Sequence, residues 1–175
     1  MKIYKNFLDD NSFNKILSTI NSPFFSWYYN EGVVKKNDRQ AQLIHTFFDK
    51  DKSYINSEHF VLLQPIINII NPFVLLRVKA NLTIKTEKHI EQGYHSDFEK
   101  TNNFKITTAL FYINTNNGYT LFENGKKIKS IKNTLFEFDG EIKHTGVTNT
   151  DTLNRVVINF NYIKQYDLHL NSIWI

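Results

Sequence analysis

The sequence predicts an α+β chain that is mainly β: a double-stranded β-helix, or jelly roll, with supporting helices at its N-terminal end. Three observations predict it. Apolar stretches of strand length recur at short intervals from residue 74 onward, separated by turn residues. The stretch Val74 to Ile84 alternates strictly, with Val74, Leu76, Val78, Ala80, Leu82 and Ile84 on one face and Leu75, Arg77, Lys79, Asn81 and Thr83 on the other. The helical patterns fall within the first 72 residues.

In chain order, Ile3 to Phe7 reads as a short entry strand. Asp9, Asp10, Asn11 and Ser12 offer helix caps. Phe13, Ile16, Leu17 and Ile20 then recur at helical spacing and make one buried stripe. Ser22-Pro23 ends that helix. Phe24 to Tyr29 is aromatic and strand-like, and Asn30-Glu31-Gly32 is a turn. Lys35 to Gln40 is a polar loop, and Gln42 to Phe48 is a strand that carries His45. After a cap-rich loop, Ser53 to Ser57, a helix is expected from about Glu58 to Ile70, kinked or split at Pro65. Both helices should brace the outer face of a sheet. After the alternating strand, Thr86 to Gln92 is a charged loop. Ile106 to Ile113 is an uninterrupted, central strand. Tyr119 to Phe122 and Ile128 to Ile131 flank Asn124-Gly125, a hairpin signal. Thr134 to Phe138 is closed by Asp139-Gly140, and Arg155 to Ile163 is the last clear strand.

The bulk properties narrow the function. At 175 residues the chain suits a single domain, 1–175, with 1–72 as helical support and edge strands and 73–165 as the jelly-roll core. Hydrophobic content of 41% with 15% aromatic residues argues for a packed chain rather than disorder. There is no cysteine, which excludes disulfides, zinc–thiolate sites, iron–sulfur clusters and thiol nucleophiles. The first ten residues lack the apolar run of a signal peptide. The greasiest segment, Phe60 to Ile70, is broken by Gln64, Pro65 and Asn68 and is too short to span a bilayer. No membrane partner and a cytoplasmic location are the expectations. A net charge of +4 spread over scattered lysines reads as a solvated surface, so nucleic acid is not indicated.

Chemistry concentrates in Gly93-Tyr94-His95-Ser96-Asp97-Phe98, taken with His144 and Arg155. His95 and Asp97 are two apart, so an extended strand points both to one face. His144, at the end of a second extended segment, supplies a third ligand. Two imidazoles and a carboxylate on one side of a metal leave open positions, the arrangement of non-haem Fe(II) oxygenases. Arg155 leads the apolar strand that ends the core, and its fork matches a carboxylate bidentately.

The ordered set His95-x-Asp97…His144…Arg155 resembles the Fe(II)/2-oxoglutarate-dependent dioxygenases, the prolyl-4-hydroxylase-like branch in particular, over roughly residues 74–163. The resemblance implies the jelly-roll fold and a hydroxylase that releases succinate and CO2. It implies Fe(II) on His95, Asp97 and His144, with 2-oxoglutarate and O2 filling the open positions. An intact Asp97 points to hydroxylation, since the related halogenases carry a small residue there. Arg155 would take the distal carboxylate of 2-oxoglutarate, where prolyl hydroxylases often use Lys. The hydroxyl residue usual two positions after the Arg is replaced by Val157, so Tyr112 is the candidate substitute. The run Leu110 to Asn114 and Gly118 to Phe122 is similar to the family's Tyr-Leu-Asn strand end and Gly-Gly-x-Thr-x-Phe turn. Asn81 is a further cosubstrate candidate, with Lys79 and Arg77 next in line for the distal carboxylate. Leu110 would form an apolar wall. Tyr94, His45, Arg39 and Trp27 are channel candidates, each more ordinary as a core or surface residue. His59, His89 and His169 read as structural or surface histidines. The substrate, a small molecule or a protein or peptide, is not legible, and peptidyl proline enters only by analogy. A cupin-like metal enzyme that is not an oxygenase, and a non-catalytic jelly-roll binding module, are the alternatives.

Overall fold

A computed structural model describes residues 1–33, 40–52, 54–99 and 104–168. Strand β1 (Lys2–Lys5) leads into α1 (Asp10–Ile20). Asp9 caps that helix, accepting from the Ser12 amide at 3.0 Å, and Phe13, Ile16 and Ile20 form its buried stripe. Next come β2 (Tyr28–Asn30), β3 (Gln42–Asp49) and β4 (Tyr54–Ile55). A 3₁₀ turn (Glu58–Leu63), capped by Ser57, runs into α2 (Gln64–Ile70). Pro65 splits the expected single helix there: it sits in the first turn of α2, where a missing N–H leaves no intrahelical bond unmade. No helix of the described residues is long and apolar enough to cross a membrane.

The remaining elements are β5 (Val74–Ile84), β6 (Phe104–Tyr112), β7 (Tyr119–Phe122), β8 (Lys127–Lys129), β9 (Thr134–Asp139), β10 (His144–Val147) and β11 (Asn154–Leu168). The fold is mainly β, and its core is a double-stranded β-helix. The larger sheet runs β1-β9-β6-β11-β5-β3-β2, with β4 beside β3; the smaller runs β10-β7-β8. Isolated bridges Glu91↔Val147 and His95↔His144 add the 91–95 segment to the open edge of the smaller sheet. Gly125, at φ 80°, makes the β7–β8 turn.

Three layers follow from which residues are apolar. The outer face of the larger sheet packs on the helices through Val78, Ala80, Ala109, Phe111, Leu135, Ile158 and Phe160 against Phe13, Ile16, Leu63 and Ile66. Its inner face meets the smaller sheet through Leu110, Tyr112, Phe136, Phe138 and Val157 against Phe122 and Ile128. This apolar plug fills one part of the space between the sheets. The rest is lined by polar side chains of β5, β6 and β11 and becomes the site.

Three local expectations are corrected. The strand expected at Phe24–Tyr29 begins only at Tyr28. The Phe25 amide bonds to the Ser22 carbonyl at 3.1 Å and the Phe24 amide to the Ser22 hydroxyl at 3.2 Å, which turns the chain first. The segment Gly93–Phe98 is not a regular strand: Gly93 has φ 90°, only His95 bridges to His144, and the Asp97 amide turns to the Gly140 carbonyl at 3.1 Å. His144 does not end a strand but opens one, β10, because the turn at Asp139–Ile142 restarts the extended chain.

Candidate active site

His95, Asp97 and His144 converge, with one potential ligand atom from each all within 4.8 Å of one another. Paired backbone bonds between residues 95 and 144, at 2.9 and 3.0 Å, set the two imidazoles side by side. The His144 Nδ1–H donates to the Ile142 carbonyl at 3.0 Å and the His95 Nδ1–H to the Gly93 carbonyl at 3.3 Å. That tautomer leaves each Nε2 lone pair for a metal, the usual orienting arrangement around a ligating histidine.

Asp97 is held more firmly. Its Oδ2 accepts from the Thr108 hydroxyl at 2.7 Å, from Asn161 at 3.1 Å and from Asn159 at 3.2 Å. Its Oδ1 accepts from Asn159 at 3.2 Å and faces the Arg77 guanidinium at 3.5 Å. Burial alone would raise its pKa. The nearby His144 charge, the Thr108 hydroxyl, Arg77 and the Asn159 amide outweigh burial and hold the carboxyl below the usual range. Burial pushes the His144 imidazole down, with Asp97 opposing and His95 assisting. An ionised carboxylate and a neutral imidazole are the forms a metal ion takes. This donor set, with oriented nitrogens, fits Fe(II).

Arg155 lies at the other end of the cavity, 6% exposed. Its Nε donates to the Ser130 hydroxyl at 2.8 Å and an Nη to the Thr120 hydroxyl at 3.1 Å. Among the described residues it has no carboxylate partner. A Cβ on Gly118 would stand 2.8 Å from Arg155 Cδ, so only glycine allows the arginine its path. Burial presses its pKa down and Tyr112 opposes.

The cavity, about 90 Å³, is lined by His95, Asp97, His144, Arg155, Asn81 and Lys79 among others. A larger cavity of about 310 Å³ lies beside it and shares Gln42 and Gln92. The three potential ligating groups belong to the smaller one. Asn81 and Leu110 line it, as expected from the β5 alternation and the Tyr112 phase. Tyr112 is fully buried behind the lining, and its hydroxyl meets that of Thr120 at 3.0 Å, so it reaches the cavity through Thr120. Arg77 serves Asp97. His45 is structural: it bonds to the Ser26 carbonyl at 2.7 Å and the Ser57 hydroxyl at 2.8 Å, with its ring tilted against Phe25 and Phe47. Trp27 packs on the helix-side core, and Tyr94 is exposed. Arg39 and His169 lie outside the described residues. Sequence reasoning missed Thr108, Thr120, Ser130, Asn159 and Asn161. The alternation Asn159-Phe160-Asn161 on an otherwise apolar strand was the available signal.

No protein-family model and no curated protein matches the chain. Solved structures do. A viral collagen prolyl hydroxylase from Paramecium bursaria Chlorella virus 1, in its 2OG complex, superposes with TM-score 0.62 at 14% identity, covering 93% of this chain and 94% of that one. A prolyl hydroxylase from Trichoplax adhaerens, bound to a hypoxia inducible factor oxygen degradation domain peptide fragment, gives 0.65 at 16%, covering 98% and 86%. The non-heme alpha ketoglutarate dependent carbocyclase SnoK of nogalamycin biosynthesis gives 0.65 at 8%, covering 93% and 78%. At these identities the likeness is one of fold: the chain folds as the prolyl-hydroxylase-like 2OG-Fe(II) oxygenases do.

Proposed function

We propose that this chain is an Fe(II)- and 2-oxoglutarate-dependent dioxygenase that hydroxylates its substrate. The observation that carries the reading is a pairing: a His-Asp-His triad at one end of a cavity and, at the other, a buried guanidinium that no carboxylate of the described residues answers. A buried charge without a counter-charge is unfavourable, and a dicarboxylate cosubstrate supplies one.

His95, Asp97 and His144 would hold the metal. Thr108, Asn159, Asn161 and Arg77 keep Asp97 ionised and fixed in direction. Arg155 would receive the distal carboxylate of 2-oxoglutarate, presented by Ser130 and Thr120, with Tyr112 behind Thr120. Asn81 would line the cosubstrate, and Leu110 and Val157 exclude water. When bound, iron with 2-oxoglutarate and O2 supplies the oxidation that releases succinate and CO2. The solved neighbours include both prolyl hydroxylases and a carbocyclase, so fold leaves the outcome at the substrate open. The intact Asp97 favours oxygen transfer to carbon, with peptidyl proline or another amino-acid side chain among the candidates.

The test is metal and cosubstrate binding under anaerobic conditions. Wild type should bind about one Fe(II) and develop a weak visible charge-transfer band on adding 2-oxoglutarate. Folded His144→Ala protein should lose both. Unchanged iron binding in that variant would remove the assignment.

A further inference from the structure

Among the described residues two cations line the cavity, Arg155 and Lys79. The proposed cosubstrate answers the first. Lys79 makes no hydrogen bond or ion pair through its ammonium among the described residues. Among the described residues the negative charge acting on it is Asp97, which Arg77, Thr108, Asn159 and Asn161 already occupy. Strand register places Lys79 away from Arg155. Lys79 pairs with Asn159 of β11, whereas Arg155 pairs with Thr83, four residues further along β5. That separation is about 13 Å along the strand. Lys79 therefore stands at the level of Asp97, on the metal side of the cavity.

The charges of the loaded site can be followed group by group. Asp97 and the metal-bound carboxylate of 2-oxoglutarate offset Fe(II). The distal carboxylate meets Arg155. Among the described residues two cations are then left over: Arg77, which is part-exposed and leans on Asp97, and Lys79, which has no partner of its own. We infer, resting on the reading above, that the substrate brings the missing anion: a compound with a carboxylate of its own, which pairs with the Lys79 ammonium and so orients the substrate beside the metal. This favours a free acid over an internal residue of a peptide chain. Burial, with Arg77 assisting and Asp97 opposing, presses the Lys79 amine down to about 8, the state of a lysine waiting for a counter-ion. Lys52 adds a further unfavourable charge.

The experiment follows the Lys79 amine by ¹³Cε NMR in the full chain, with Zn(II) as a diamagnetic stand-in for iron, and assigns its signal by its loss in Lys79→Met. Calorimetry first establishes that Zn(II) and 2-oxoglutarate bind. If they do not, the metal-site reading has failed and the inference falls with it. The amine is then titrated with metal and 2-oxoglutarate present, before and after adding acetate. The expected result is a pKa that stays depressed with 2-oxoglutarate alone and rises by a unit or more with saturating acetate. A rise on 2-oxoglutarate alone would identify the cosubstrate's own carboxylate as the partner and overturn the inference. So would an amine indifferent to acetate. Lys79→Met should bind Zn(II) and 2-oxoglutarate as wild type does, which separates this role from that of Arg155.

Discussion

On one face of β11, Val156, Ile158, Phe160 and Tyr162 are buried against the helix side of the molecule; on the other, Arg155, Asn159 and Asn161 are buried just as deeply with polar side chains. Both faces exclude water, but for different reasons. The first is held by apolar area, which is non-directional and tolerates exchange of shape for shape. The second is held by hydrogen bonds with fixed partners: Asn159 and Asn161 to Asp97, and Arg155 to Ser130 and Thr120. A polar residue buried for packing alone would be a defect. These make sense only around something they hold. Burial therefore does not distinguish core from site, whereas the kind of force doing the burying does.

The sharpest break of this comparison is a paired truncation. Phe160→Ala should lower stability by about 3–5 kcal/mol through the cavity it leaves, read by urea unfolding. Metal affinity of the folded fraction should not change. A fall in metal affinity to match would mean that the two faces are not separable.

On the polar face, Arg155→Ala should weaken 2-oxoglutarate binding by about 2–5 kcal/mol, roughly 30-fold to several thousand-fold, in a titration of Fe(II)-loaded protein. Arg155→Lys should fall between, keeping the charge and losing the fork. Iron affinity without cosubstrate should barely move. Wild-type affinity in Arg155→Ala would place the distal carboxylate elsewhere.

A smaller effect belongs to the groups behind the ligands. Asn159→Ala should reduce Fe(II) affinity by about 10- to 100-fold, the usual result of removing a partner that orients a ligand. If it lowers stability as Phe160→Ala does and leaves metal affinity intact, Asn159 is core filler.

A further effect is a slope with pH. In the folded chain Lys79 titrates near 8, below the ordinary lysine value of 10.5. Between these pH values the unfolded chain binds the extra proton, so the Lys79 contribution to stability rises with pH, by at most about 1.4 kcal/mol per unit. Below pH 8 the full penalty of burying the ammonium is present. Lys79→Met should remove this rise, measured as unfolding free energy in metal-free protein across that window. An unchanged slope would mean that Lys79 is more exposed to water than its place in the cavity implies.

The order of strands and helices was legible because it depends on local patterns. Phe13, Ile16 and Ile20 name a helix face by spacing, and Val74 to Ile84 names a strand by alternation. Asn124-Gly125 names a hairpin by its need for positive φ. His95, Asp97, His144 and Arg155 were legible as a set because few chemistries call for those side chains in that order. What the sequence could not decide is which polar residues on a strand face water and which face each other. Thr108, Asn159 and Asn161 surround Asp97 only because β6 and β11 pair in one register, and Ser130 and Thr120 reach Arg155 only because the smaller sheet folds over the larger. Register between segments far apart in the chain is set by the packing of both sheets together, and no local spacing carries it.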